Sequence, residues 1–130
     1  MTMNITCAII DDEPLALELL ENYVSRVPFL KLTGKYTSAI EALARIKEDG
    51  TQLLFLDIQM PDLNGLEFSR IIDSSTKVVF TTAFSEYAIE SYRSQALDYL
   101  LKPINFTDFM NAANKAVKWF ELQKKAESAQ

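Results

Sequence analysis

Histidine is absent from this chain of 130 residues, and cysteine occurs once, at Cys7. These absences exclude a Ser-His-Asp triad, an imidazole metal site, a thiolate zinc cluster and an internal disulfide. The three glycines are Gly34, Gly50 and Gly65, and their positions fit neither a GxGxxG fingerprint nor a P-loop. What remains is carboxylate chemistry, with lysine, threonine and serine in support.

The chain also lacks an excess of positive charge and a long apolar run. It carries 13 Lys and Arg against 18 Asp and Glu, a net charge of −5, which argues against binding of nucleic acid by this domain itself. Its apolar runs fall far short of the roughly 18–20 residues that span a bilayer. The N-terminal residues MTMNIT are not those of a signal peptide. We therefore expect one globular, cytoplasmic domain with no membrane partner.

Five short β-rich runs alternate with five helical patterns. The strands are predicted at 6–11, 29–36, 53–57, 77–82 and 97–101, and the second, which mixes polar and apolar residues, reads as an edge strand. The helices are predicted at 14–27, 38–49, 65–73, 85–94 and from 105 onward. This alternation predicts an α/β fold: a five-stranded, doubly wound parallel sheet in the order 2-1-3-4-5 with five helices. Ligands of such sheets bind beyond the carboxyl ends of the strands, beside the switch point.

Acidic residues follow two strands that this topology makes neighbours. Asp11 and Asp12 lie at the end of the first strand and Asp57 ends the third, while Thr82 ends the fourth and Lys102 follows the fifth. Converging carboxylates repel one another unless they take up protons or a cation, and oxygen donors favour Mg²⁺, Mn²⁺ or Ca²⁺. An aspartate beside such a cation can be the nucleophile in phosphoryl transfer, with a lysine and a hydroxyl stabilising the transferred group. Singly, each residue fits a helix cap, a strand or a turn as well; their joint placement favours a site.

Four motifs in order resemble a known family: IIDDEP at 9–14, LDIQMPDLNG at 56–65, FTTAF at 80–84 and DYLLKPI at 98–104. The chain is similar to a bacterial response-regulator receiver domain, of flavodoxin-like fold, from about residue 5 to about residue 122. The resemblance implies that Asp57 is the phosphoacceptor and that the phosphoryl group comes from a histidine of a sensor histidine kinase. It further implies that Mg²⁺ (or Mn²⁺) is held by Asp11, Asp12, Asp57 and the backbone carbonyl of Gln59.

The resemblance also implies the roles of residues around the phosphoacceptor. Thr82 and Lys102 match the hydroxyl and the lysine that contact the phosphoryl group, and Thr82 and Tyr99 match the pair that switches on activation. Pro103 matches a proline whose preceding peptide bond is usually cis. A receiver of this kind is not a conventional enzyme, since it catalyses its own phosphorylation and dephosphorylation.

Two variable positions and one surface complete the implied assignments. Gln59 and Phe84 occupy positions that tune dephosphorylation, and the bulky Phe84 is expected to shield the phosphoryl group from water. The output face, formed by the fifth strand with the fourth and fifth predicted helices, is also the expected surface of a homodimer. Its members are Tyr87, Tyr92, Arg93, Asp98, Tyr99, Lys115, Lys118 and Trp119.

The stretch 80–104 resembles receivers of the LytTR (LytR/AlgR) subfamily, whose effector is a β-rich DNA-binding domain. We therefore expect a receiver at 1–122, with 123–130 as a helix end or the start of a linker to an effector domain that is not present. One alternative is a single-domain regulator that acts by protein–protein contact. A pseudo-receiver would lack one of the aspartate, threonine and lysine, and a small-molecule phosphatase would show a DxD arrangement and a cap domain.

Overall fold

Five strands form one parallel sheet in the computed structural model, which describes residues 4–61, 65–84 and 96–128. The strands are β1 (Ile5–Ile10), β2 (Leu30–Tyr36), β3 (Leu53–Asp57), β4 (Lys77–Thr82) and β5 (Asp98–Leu101). Their order is β2-β1-β3-β4-β5, which confirms the predicted doubly wound topology and places β2 at an edge. The switch point lies between β1 and β3, where a ligand site is expected.

Four helices occur in these ranges: α1 (Pro14–Ser25), α2 (Ala39–Asp49), α3 (Gly65–Ile71) and the C-terminal helix (Phe106–Ser128). The helix predicted at 85–94 lies outside the described residues. The sequence signals of α2 are realised, since the Ser38 hydroxyl accepts a hydrogen bond from the N–H of Glu41 and Gly50 ends the helix at φ 66°. Several element boundaries differ from the prediction by one or two residues.

The end of α1 shows why a predicted helix boundary differs from the observed one. The apolar spacing predicts a helix to Val27, but α1 ends at Ser25 and the chain tightens into turns in which the Val27 N–H bonds the Val24 carbonyl. Val27 is nevertheless buried against the core. The apolar pattern at Val27 therefore indicates that the side chain is buried, and not that the residue is helical.

The two faces of the sheet have separate apolar cores. Toward α1 and the C-terminal helix, the Phe55 ring stacks on Phe109 with their centroids 4.8 Å apart, and both side chains are fully buried. Toward α2 and α3, Phe80 and Phe68 belong to the second core. Side chains alternate between the two faces along a strand. A residue of β3 two positions from Phe55 therefore points toward α1 and the C-terminal helix, and a residue of β4 two positions from Phe80 points toward α2 and α3.

The C-terminal helix begins after Asn105, whose side-chain oxygen accepts a hydrogen bond from the Asp108 N–H at 2.8 Å. It continues to Ser128, so residues 123–128 are helical. The domain boundary at 122 stays a prediction. Within the described ranges, no helix combines the length and the apolar character that a membrane span requires.

Candidate functional site

Three carboxylates converge at the carboxyl ends of β1 and β3. Asp57 is the last residue of β3, and Asp11 and Asp12 directly follow β1. One carboxylate oxygen from each lies within 4.8 Å of the others. Asp11 is fully buried and Asp57 is 4% exposed, whereas Asp12 is exposed to solvent. The pocket is therefore open to solvent on the Asp12 side and closed beneath Asp11 and Asp57.

Lys102 brings a positive charge to the buried pair. Its Nζ lies 2.8 Å from Asp11 Oδ2 and 3.4 Å from Asp57 Oδ2. The Lys102 N–H bonds the Thr82 carbonyl at 2.7 Å, so the end of β4 sets the path of the chain there. This ammonium group contacts two of the three carboxylates, so the described part of the cluster keeps an excess of negative charge.

The electrostatics of the pocket shift two pKa values. Burial, assisted by the negative charge of Asp11, raises the pKa of Asp57 from 3.8 to about 6, against the opposing effects of Lys102 and the Gln59 N–H. Burial alone would lower the pKa of Lys102, but its hydrogen bond to Asp11 and the charges of both aspartates raise it instead. Lys102 is therefore protonated at neutral pH, and Asp57 is a carboxylate that is short of solvation.

At the ends of three strands, a local backbone turn holds the side chain in place. Each side chain accepts a hydrogen bond from the N–H two residues later, a local turn typical of Asp and Thr. The three pairs are Glu13 N–H to Asp11 Oδ1 at 2.9 Å, Gln59 N–H to Asp57 Oδ1 at 3.0 Å and Phe84 N–H to Thr82 Oγ1 at 3.1 Å. These turns fix the side-chain oxygens of Asp11, Asp57 and Thr82 at the same edge of the sheet.

Thr82 and Tyr99 share one face of the sheet. In the β4–β5 register Phe80 pairs with Tyr99 and Thr82 pairs with Leu101, so Tyr99 and Thr82 are diagonal neighbours. Thr82 is buried, while Tyr99 is 39% exposed. Thr81 points to the opposite face, beside its register partner Asp57, and its buried hydroxyl makes no hydrogen bond.

The remaining residues implied by the resemblance follow Asp57, Thr82 and Lys102 closely along the chain. Gln59 and Phe84 are exposed. The Lys102–Pro103 peptide bond is cis. The Gln59 backbone carbonyl as a metal ligand and the tuning roles of Gln59 and Phe84 stay predictions.

The described members of the implied output face line two different depressions. Asp98, Tyr99, Lys115 and Lys118 line one depression beside β5, where Lys115 Nζ lies 3.1 Å from Asp98 Oδ2. Trp119 instead lines a different groove between the C-terminal helix and α2, and the Lys77 ammonium lies 4.3 Å from its ring centroid. One helical step separates Trp119 from Lys118 and carries it around the helix, and its membership of the output face stays a prediction.

Three further members of that face, Tyr87, Tyr92 and Arg93, lie outside the described residues.

Tyr23 makes a contact near the site that sequence reasoning did not predict. Its apolar spacing places it in the core of α1, and its ring does pack against the core. Its hydroxyl, however, donates a hydrogen bond to the Ile104 carbonyl at 2.9 Å, two residues after Lys102. A buried tyrosine hydroxyl usually finds a partner, but no local pattern indicates one that is 81 residues away.

The pocket suits a small divalent cation. Among the described residues, its donors are carboxylate oxygens, two of the three carboxylates are buried, and one lysine leaves their charge only partly neutralised. Mg²⁺ is typically held by one or two carboxylates together with waters and a phosphate oxygen. Asp11, Asp12 and Asp57 therefore fit the Mg²⁺ site expected from the sequence.

Comparison with known proteins agrees with this geometry. A family model described as the response regulator receiver domain matches residues 7–114. The chain is 46% identical over 103 residues to an uncharacterized response regulatory protein of Shewanella oneidensis, covering 78% of this chain and 44% of that protein. It is 41% identical over 99 residues to the transcriptional regulatory protein BtsR of Escherichia coli, covering 75% of this chain and 41% of BtsR. The chain thus spans less than half the length of these curated relatives.

A solved structure shares the fold. The response regulatory domain of mrkE from Klebsiella pneumoniae superposes with a TM-score of 0.82 at 26% identity, over 91% of this chain and 99% of that one. The agreement extends over nearly the whole of both chains.

Proposed function

Because this chain belongs to the response regulator receiver domain family, we propose that Asp57 accepts a phosphoryl group from a phosphohistidine of a sensor histidine kinase. A carboxylate oxygen of Asp57 forms a bond to phosphorus as the phosphorus–nitrogen bond breaks, and the imidazole leaves with the electron pair of that bond. The product is an aspartyl phosphate. The absence of histidine from this chain is consistent with the donor lying on a partner.

The observation that carries this proposal is the meeting of Asp11, Asp12 and Asp57 within 4.8 Å, with Lys102 against the two buried carboxylates. A lone buried carboxylate would repel an incoming phosphoryl group. Receiver domains generally use Mg²⁺ at such an acidic site, and Mg²⁺ held by Asp11, Asp12 and Asp57 would screen the charge of the phosphoryl oxygens.

Two side chains of this chain stabilise the transferred group. Lys102, protonated and already within 3.4 Å of Asp57 Oδ2, pairs with one phosphoryl oxygen. The Thr82 hydroxyl turns from the Phe84 N–H to donate a hydrogen bond to another. Because Tyr99 is the diagonal neighbour of Thr82, movement of Thr82 opens space into which the exposed Tyr99 ring can turn. The pair then biases two states of the β5 surface.

The output we propose is control of transcription through a LytTR-type DNA-binding domain in the full-length protein. The similarity to the transcriptional regulatory protein BtsR, of which this chain spans 41%, supports a transcriptional output. The LytTR assignment rests on the resemblance of residues 80–104. Phosphorylation changes the face that includes Asp98, Tyr99 and Lys115, and this face pairs two copies of the domain.

Phosphorylation of Asp57 is tested directly by mass spectrometry. The protein is incubated with acetyl phosphate and Mg²⁺, and we expect one added phosphoryl group that is lost in Asp57→Asn and in excess EDTA. Asp73→Asn, which changes an exposed carboxylate outside the pocket, is the matched control and should be phosphorylated like the wild type. Phosphorylation of Asp57→Asn to the same extent, or none in the wild type, would contradict the proposal.

A further inference from the structure

In the described part of the chain, one side-chain hydrogen bond ties α1 to the loop that carries Lys102. The Tyr23 hydroxyl donates a hydrogen bond of 2.9 Å to the Ile104 carbonyl. We propose that Tyr23 is a positioning residue for Lys102, holding the backbone of residues 102–105 so that the ammonium group meets the phosphoryl group on Asp57. This inference rests on the proposed function and adds a residue that does not touch the reacting atoms.

The loop has few other anchors. On one side the Lys102 N–H bonds the Thr82 carbonyl at 2.7 Å, and on the other Asn105 caps the C-terminal helix. Between them the Ile104 side chain is buried, but Pro103 has no N–H to donate. Within the described ranges, the bond from Tyr23 is the one hydrogen bond that joins α1 to this loop. It fixes the backbone two residues from Lys102.

The direction of the Tyr23 hydroxyl is itself constrained. The Tyr23 ring lies 5.3 Å from the Phe106 ring and 5.4 Å from the Phe109 ring, centroid to centroid. The Arg26 guanidinium lies 5.9 Å from the Tyr23 ring centroid and 5.5 Å from that of Phe106. These contacts involve the ring and not the hydroxyl, so Tyr23→Phe removes the tether and retains the packing.

The tether matters most when the carboxylates hold Lys102 less strongly. In this structure Asp11 and Asp57 both hold the Lys102 ammonium. When their charge is neutralised, or when Lys102 turns to a phosphoryl oxygen, the ion pair with Asp11 weakens. The position of the ammonium then depends on its backbone, which Tyr23 fixes through Ile104. Loss of the hydroxyl should therefore affect phosphoryl transfer more than binding of a divalent cation.

The test compares Tyr23→Phe with the wild type and with Tyr36→Phe. Tyr36 belongs to the opposite core, and its hydroxyl makes a longer bond of 3.5 Å to Asp49, so its loss is a matched control. The measured quantities are the rate constant of phosphorylation by acetyl phosphate with saturating Mg²⁺ and the Mg²⁺ dissociation constant from calorimetry. We expect Tyr23→Phe to lower the rate constant about three- to tenfold, the scale of one hydrogen bond. The dissociation constant should change less than about twofold, and Tyr36→Phe should leave both unchanged.

A double-mutant cycle separates positioning from a general structural effect. If Tyr23 acts through Lys102, then Tyr23→Phe in a Lys102→Ala background should change the residual rate less than about twofold. An equal loss in both backgrounds, or no loss in the wild-type background, would overturn the inference. Normal phosphorylation of wild type and Tyr23→Phe alike would refute only the role of Tyr23, whereas absence of phosphorylation in every protein would refute the proposed function and the inference with it.

Discussion

Replacing Asp57 by asparagine should stabilise the metal-free protein at neutral pH. Asp57 is 4% exposed and close to Asp11, and together these effects raise its pKa to about 6 from an ordinary value of 3.8. The difference is about two pH units, each equivalent to about 1.4 kcal/mol. Ionised Asp57 therefore lowers the free energy of unfolding by about 2–3 kcal/mol.

The sign of the pH dependence follows from the raised pKa. Below about pH 4 Asp57 is protonated in the folded and the unfolded chain and has no effect through ionisation. Between about pH 4 and pH 6 the unfolded chain loses the proton first, so the free energy of unfolding falls as pH rises. Above about pH 6 the destabilisation is complete and constant. Asp57→Asn removes this dependence and retains an oxygen for the Gln59 N–H.

Urea unfolding in EDTA, followed by circular dichroism from acid to neutral pH, measures the effect. We expect the free energy of unfolding of Asp57→Asn to exceed that of the wild type by about 2 kcal/mol at neutral pH. This difference should shrink toward zero at acid pH. Asp73→Asn is the control of opposite sign, because the Ser75 N–H lowers the pKa of that exposed carboxyl group. Equal stability of wild type and Asp57→Asn at neutral pH would refute the reasoning about burial and Asp11.

Four further predictions concern the phosphoryl group, the core, a turn and the output face. Phe84→Ala should shorten the lifetime of the aspartyl phosphate, because the exposed ring two residues after Thr82 no longer shields it from water; an unchanged lifetime refutes shielding. Thr81→Val should raise the free energy of unfolding by about 1 kcal/mol in urea titrations, because it removes a buried hydroxyl without a partner. Gly50→Ala should lower it by about 1 kcal/mol, since a Cβ meets no atom within 4 Å and only the φ of 66° is unfavourable. Beryllofluoride with Mg²⁺ should convert the monomer to a dimer in sedimentation experiments; a monomer under both conditions contradicts pairing through the Tyr99 face.

Patterns local in the sequence were enough to predict the sheet and the pocket. The apolar runs that became β3 and β4 are covered on both faces, so burial and strand structure coincide there and the bounds match the prediction. Asp57 and Asp11 could be placed together because the topology brings the carboxyl ends of parallel strands to one edge. Nothing about the side chains had to be known beyond their position at a strand end.

Features that depend on three-dimensional packing were not predictable in the same way. Val27 continued the apolar pattern of α1 past the helix end, because a buried turn and a buried helix leave the same mark in the sequence. The helical residues 123–128 carry no apolar stripe and are helical through residues such as Lys and Ala that favour helices. The contacts of Trp119 with Lys77 and of Tyr23 with Ile104 join distant parts of the chain, and neither pairing has a local signal.

The negative charge of the buried Asp57 carboxylate both destabilises the metal-free protein and favours binding of a cation. Mg²⁺ that neutralises the carboxylates should raise the free energy of unfolding, as Asp57→Asn does by removing one of them. A ligand at 100 times its dissociation constant stabilises a protein by about 2.7 kcal/mol, which is close to the cost estimated from the pKa of Asp57. Mg²⁺ at about 100 times its dissociation constant should therefore raise the stability of the wild type to about that of metal-free Asp57→Asn, while the variant, with one carboxylate fewer, gains less. If Mg²⁺ stabilised both proteins equally, Asp57 would contribute little to holding the cation, and the carboxylate that receives the phosphoryl group would not be the one whose charge the cation screens.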